Sequence, residues 1–375
     1  MQQRAADRLP KPRDLVLFGL LPLFFLANDL YFSLVRPTRH HLWDFFTFRA
    51  AGRAVLHGRS PYPEHATVAV LAAAKSFVYP PIASYLFAPL AALPVEASEV
   101  IFFLASIACL LGALRLLGVR DWRCYTLPFL WLPVYSSLSL GTISPLLVLL
   151  LACGWRYRDE RPRLAAAAIG LAVVAKLFLL PIVLWLVATR RWRTASWTAA
   201  FAAAAFLVPF APLGWHALRR YEHLLRMLDA ALGTDSFSTR TLLHSAGVGS
   251  PTSTLVVGLC VVGFAFGALR LGRRGGDAGS LALALAAALL LSPIVWTHYY
   301  VLLLVPIGIV RPRLSPLWFL PLVFWIEPNI QHFGDSWRLG VEIAAGLAVC
   351  LFAARPDFSA DQVSRAGGVA PSRAR

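Results

Sequence analysis

The chain has 375 residues and a formal net charge of +16, and it is 58% hydrophobic but only 14% charged. A soluble domain carries about a quarter charged residues, so a conventional soluble enzyme is excluded. The positive surplus is not a nucleic-acid surface either, because its arginines and lysines fall in short clusters between apolar stretches. That is the distribution which holds the loops of a membrane protein to the cytoplasmic side and against anionic lipid.

Apolar stretches of about twenty residues recur from end to end, and in lipid they must be helical because every backbone polar group needs an internal partner. An all-α, polytopic transmembrane bundle is therefore predicted. Residues 1–14 carry Arg4, Arg8, Lys11 and Arg13 and read as a cytoplasmic segment. A first span follows at 15–35, retained because no small-residue cleavage site accompanies it. Residues 36–78 then form an outer loop. Within it Phe45, Phe48, Arg49, Gly52, Val55 and Leu56 have the spacing of a short helix lying along the membrane.

Spans are expected at 79–93, opening on Tyr79-Pro80-Pro81, and at 98–117. The stretch 124–154 reads as one crossing broken near Gly141. Residues 164–189 read as a hairpin with Lys176 near its outer tip, and 195–212 as a further span. The alternative, with 124–154 crossing twice and 164–189 once, would put Arg156, Arg158, Arg161 and Arg163 outside. A second outer loop, 213–251, holds an amphipathic helix from Trp215 to Leu232. A polar run then contains Asp235, Ser236, Ser238, Thr239, Arg240 and His244. Spans at 252–270, 280–292, 299–310, 314–327 and 337–353 complete a single domain, 15–353, of about twelve spans. Residues 354–375 read as a disordered cytoplasmic tail.

The five cysteines are scattered without metal-ligand spacing and read as packing residues. No phosphate-binding glycine loop, Asp-x-Asp pair or His/Cys cluster is present, so neither a resident metal nor any other cofactor is expected.

Chemistry is expected at the polar residues that interrupt the apolar pattern. Asp44, in Trp43-Asp44-Phe45-Phe46, is a loop acid or helix cap on the plain reading. On the functional one it is a general base tuned by burial and by Arg49. Lys176 is an ionisable residue in an apolar run, which makes it a candidate by default. His298 sits in Ser292-Pro293-Ile294-Val295-Trp296-Thr297-His298, a break that is tolerated at membrane depth only if protein-buried or lining a cavity. Arg240, in the second outer loop, suits a phosphate because its fork binds two oxygens. Glu327, Asp335 and Glu342 read as structural.

Asp44 with Arg49-Ala50-Ala51, Gly58-x-Ser60-Pro61-Tyr62, Tyr79-Pro80-Pro81, Lys176 before Arg190-Arg191-Trp192-Arg193, and Ser292-Pro293-x-x-Trp296-x-His298 occur in that order. Together they resemble the family 87 glycosyltransferases, from about residue 15 to 353. The resemblance implies the C-type membrane glycosyltransferase architecture, with interfacial helices in periplasmic loops. It further implies an inverting enzyme of the bacterial cytoplasmic membrane, with its active site facing the periplasm or cell exterior. The donor would be a polyprenyl-phosphate sugar, most often mannose, and the acceptor a hydroxyl of a lipid or glycan.

On that resemblance Asp44 is the catalytic base and His298 lies near the donor phosphate, which Lys176 and Arg240 are also expected to bind. Arg49, Tyr62, Tyr79, Trp296 and His244 contact substrate. Many relatives carry Gly-Gln-x-Asn where this chain has Gly141-Thr142-Ile143-Ser144, and an Asn-x-Ser element near Asp235-Ser236. The competing reading is a flippase or transporter that moves lipid-linked sugars without making a bond.

Overall fold

The computed structural model describes residues 11–35, 41–65, 67–73, 76–233, 236–326 and 336–355, and every regular element among them is helical. Asp235, Glu327, Asp335 and the tail beyond Arg355 lie outside the described residues. In chain order the principal helices begin with α1 (Pro12–Val35), α2 (Trp43–Leu56), α3 (Pro81–Ala91) and α4 (Val95–Leu116). The centre holds α5 (Leu132–Ser139), α6 (Ser144–Tyr157), α7 (Pro162–Ala175), α8 (Leu177–Ala188) and α9 (Trp192–Leu213). The second outer loop contributes α10 (Trp215–Leu232) and α11 (Thr239–Ser245). The chain continues with α12 (Ser250–Arg273), α13 (Asp277–Leu291), α14 (Thr297–Val310), α15 (Pro316–Ile326) and α16 (Ser336–Ala353).

Five of these, α1, α4, α9, α12 and α16, are long and apolar enough to cross a membrane. They fall on five of the predicted spans. The other predicted crossings correspond to shorter apolar helices, so the expected count of about twelve does not emerge as twelve membrane-length rods. The reason is local. α3 carries Pro89 inside it, Lys176 interrupts 162–188, and Pro293 precedes α14. α13 is buried along nearly its whole length. A helix sheathed by other helices need not match the thickness of lipid.

The break predicted near Gly141 is a sharp turn, with α5 and α6 meeting at 119°. Gly141 takes a left-handed φ of 67°, and Pro145 stands in the first turn of α6, where its missing N–H costs nothing. α6 and α7 then run antiparallel, Gly154 lying against Ile169. Small residues of this kind let helix backbones approach where apolar burial alone gives no drive in lipid.

At the end predicted to be cytoplasmic, Asp277 at the start of α13 gathers three donors. Arg158 Nε approaches at 2.8 Å, Arg191 binds through both terminal nitrogens at 2.9 and 3.0 Å, and Trp185 Nε1 also donates. Arg191 Nε reaches Asp159 as well, at 2.8 Å. Part of the basic charge is therefore spent on pinning α6, α8 and α9 to α13.

Candidate active site

α2 begins where it does because another segment satisfies its first N–H groups. Leu42 adopts a left-handed φ of 53° just ahead of the helix. Its N–H donates to Ser139 O at 2.7 Å, and that of Asp44 donates to Leu140 O at 2.9 Å. The otherwise orphaned donors of a helix N-terminus are thus taken by carbonyls of the α5–α6 turn. Asp44 is thereby held by backbone, independently of its own side chain.

The Asp44 carboxyl is half-buried, and loss of water pushes its pKa up from the ordinary carboxylate value to about 6; the nearby Lys176 charge works in the opposite direction. Lys176 is the single extended residue between α7 and α8, with φ −143° and ψ 100°. It is 4% exposed, and its Nζ has no hydrogen-bond partner. The ammonium lies 3.8 Å from the Tyr299 ring centroid and 5.2 Å from that of Tyr79. Such cation–π contacts contribute about 2 kcal/mol when desolvated, which helps to hold a buried lysine but leaves its donors unused.

His298 opens α14 and is also 4% exposed, with neither ring nitrogen hydrogen-bonded. Its ring meets Tyr299 edge-on at 4.9 Å, and it is close enough to Lys176 to feel that charge. Tyr299 stacks flat on Phe178 at 4.8 Å. Asp44, Lys176, His298, Tyr79 and Tyr299 therefore gather from four separate parts of the chain.

Beside this group opens a cleft of about 360 Å³. Its polar end is Tyr79, Lys176, Ser292, Trp296 and Tyr299. Tyr221, Leu225, Leu228 and Leu232, one stripe of the amphipathic helix α10, make an apolar wall. Tyr62 joins the two outer loops. Its hydroxyl donates to Tyr79 O at 2.9 Å while its ring packs on Tyr221 at 5.2 Å. The second loop is also tied to the break before α14, since Phe237 N–H donates to Val295 O at 2.7 Å and Ser236 Oγ to Pro293 O at 3.2 Å.

Three expected site residues are placed differently. Arg49 points away from Asp44 and braces the α3–α4 corner, donating to Leu93 O at 2.8 Å and Ser98 Oγ at 3.2 Å. The charge that acts on Asp44 is that of Lys176 instead. His244 Nε2 lies 2.9 Å from Ser253 Oγ and links α11 to α12. Arg240 is half-buried on α11, and neither it nor His244 is among the residues lining the cleft.

Two residues were passed over in the sequence. Asp29, 1% exposed in α1 with neither carboxylate oxygen hydrogen-bonded, lies beside Ser139 behind the turn that holds α2. An acid within a span is itself a signal for function, and Asp29 carried it. Ser144, the first residue of α6, is 1% exposed with an unpartnered hydroxyl. Its sequence signal was its place at the end of Gly141-Thr142-Ile143-Ser144, where many relatives carry asparagine.

A polyprenol-phosphate-mannose-dependent alpha-(1-2)-phosphatidylinositol pentamannoside mannosyltransferase of Mycolicibacterium smegmatis is 29% identical over 67% of this chain and 60% of its own length. The protein of the same name from Mycobacterium tuberculosis is 28% identical over 70% of this chain and 62% of its own. The chain thus spans about three fifths of these two relatives. A phosphatidylinositol mannoside mannosyltransferase of M. smegmatis, also polyprenol-phosphate-mannose-dependent, is 27% identical over 81% and 80%. No solved structure matches. The family description glycosyltransferase family 87 matches residues 77–297, which hold Tyr79, Lys176, Arg240 and Trp296; Asp44 lies upstream and His298 is the next residue. With more than half of its length matched, the chain belongs to glycosyltransferase family 87.

Proposed function

We propose that the chain transfers a sugar, mannose by analogy with its relatives, from a polyprenyl-phosphate carrier to a hydroxyl of a lipid or glycan acceptor. The observation that carries this reading is Lys176, whose charge acts on the adjacent Asp44 and which itself lines a cleft with an apolar wall. A base, a cation and a lipid groove in one place are what a lipid-linked phosphosugar requires.

Asp44 accepts the proton of the acceptor hydroxyl as its oxygen attacks the anomeric carbon. The bond from that carbon to the phosphate oxygen breaks on the opposite side, inverting the centre, and polyprenyl phosphate departs. Lys176 and His298 hold the phosphate as its negative charge grows, an electrostatic contribution that is large where water is excluded. The apolar side chains of α10 take the first isoprene units. Positively charged loops at the Asp277 end and the cleft at the other end support an active site on the outer side of the membrane.

The test uses the purified protein in lipid vesicles with labelled polyprenyl-phosphate mannose and a phosphatidylinositol mannoside acceptor. The expected result is labelled acceptor together with free polyprenyl phosphate. Movement of intact donor between leaflets without a covalent product would replace this reading by that of a carrier.

A further inference from the structure

The turn Gly141-Thr142-Ile143-Ser144 is enclosed on three sides by the groups just described. On one side it follows Leu140, whose carbonyl holds the Asp44 N–H, and Gly141 abuts Phe45. On a second side α6 and α5 pack on the 3₁₀ turns that open α14, and Ser137 Oγ reaches His298 O at 3.4 Å. On the third, the antiparallel pairing of α6 with α7 through Gly154 and Ile169 brings the beginning of α6 alongside the end of α7, where Lys176 follows.

α6 is a helix of fourteen residues whose N-cap residue, Ile143, offers no capping side chain. The one candidate, Thr142, accepts the Ser144 N–H through Oγ1 at 3.2 Å. Ser144 Oγ, on the first turn, is buried and unpartnered, as are Lys176 Nζ and both nitrogens of His298. Thr142 thus takes the Ser144 N–H and Pro145 has none to give, so what this helix end offers an anion is chiefly the partial positive charge of its dipole. A buried hydroxyl with no partner costs free energy unless a ligand supplies one. An unpartnered hydroxyl, ammonium and imidazole around one positively polarised helix end suit a ligand of several oxygens and negative charge.

We infer that the N-terminus of α6 and the Ser144 hydroxyl form part of the donor-phosphate seat, together with Lys176 and His298. The inference rests on the proposed transferase reading for the identity of the phosphate. It adds a helix end and a neutral hydroxyl to a seat otherwise built from the Lys176 ammonium and the His298 imidazole. Such a seat binds the departing phosphate without placing another positive charge beside Asp44, which must itself remain a base.

The experiment measures binding of polyprenyl phosphate, with unphosphorylated polyprenol as the control, to the full-length protein in neutral nanodiscs. Binding is read separately from transfer. Ser144→Ala is expected to weaken polyprenyl phosphate about ten- to a hundredfold, since a hydrogen bond to a charged group is lost, while polyprenol binding stays unchanged. Ser144→Thr, which keeps the hydroxyl, restores affinity. Where Ser144→Ala does not purify as a folded protein, Ser144→Cys keeps the volume, offers only a weak donor and should give the same loss. Unchanged phosphate affinity in both variants overturns the inference, as does an equal loss for polyprenol. Equal competition by phosphatidylglycerol would assign the seat to a membrane phospholipid and overturns it too. A wild type that binds polyprenyl phosphate in this Ser144-dependent way yet forms no product would sink the transferase reading alone.

Discussion

Gly141 and Phe45 meet so closely that a Cβ on Gly141 would fall 2.6 Å from the Cβ of Phe45. Phe45 adjoins Asp44, and the turn containing Gly141 supplies the carbonyl that holds Asp44 N–H. Gly141→Ala therefore meets both a steric clash and a φ of 67°. The expected loss is about 1–3 kcal/mol of stability. It should be accompanied by a fall in kcat, because the turn and α2 must separate. An unchanged melting temperature together with full activity would show that the turn does not position the acid.

Asp44→Asn is nearly isosteric and leaves the backbone bond to Leu140 in place. The melting temperature should hold while kcat falls about 10²- to 10⁴-fold, the usual cost of losing a general base. The pH profile gives an independent check. Burial raises this carboxyl to about 6, and a base works only when ionised. In the wild type, kcat/KM should rise with pH through about 6 as this carboxyl ionises. A limb near the ordinary carboxylate value of 3.8 would contradict the buried, Lys176-coupled acid.

Lys176→Met keeps the length of the side chain and removes a buried charge that lacks a hydrogen-bond partner. Stability should hold or improve. The donor KM should rise about ten- to a hundredfold, with the acceptor KM little changed. Arg240→Ala, at a residue that does not line the cleft, should shift the donor KM less. A response confined to the acceptor KM in Lys176→Met, with the larger donor effect in Arg240→Ala, would reverse these assignments.

Asp29→Asn removes a carboxylate that is 1% exposed and has no hydrogen bond. Unpaired buried charge is costly, so the amide should raise the thermal midpoint. A lowered midpoint, measured in the same detergent, would mean that Asp29 is engaged in an interaction which stabilises α1.

Much of the fold was legible where one physical signal dominates. α10 has the predicted ends, Trp215 and Leu232, because its apolar stripe alternates sharply with basic residues. The turn at Gly141 was legible from a glycine between prolines. The shorter helices were not, because hydropathy reports how apolar a stretch is but not whether lipid or protein surrounds it. Arg49 shows the same limit in the site. It lies five residues from Asp44 and reads as its partner, yet five residues along a helix turn through about 140° and put the two on different sides. The residue that does act on Asp44 lies more than a hundred positions away, at an interruption in another apolar run. Sequence grouped Asp44, Lys176 and His298 with Arg240 in one expected site; packing draws the first three together and leaves Arg240 outside the cleft lining.

The contact between Tyr62 and Tyr221 makes the lipid wall and the catalytic loop one mechanical unit. Tyr221 belongs to the stripe that walls the cleft, while Tyr62 hangs from the chain that follows α2 and fastens to the Tyr79 carbonyl. Isoprene units that press α10 into place thereby also steady the ring of tyrosines around Lys176. Binding energy from a part of the donor that never reacts can in this way be spent on alignment at the reacting carbon. A carrier shortened to a few carbons should then turn over slowly even at saturation, its deficit appearing in kcat and not in affinity alone.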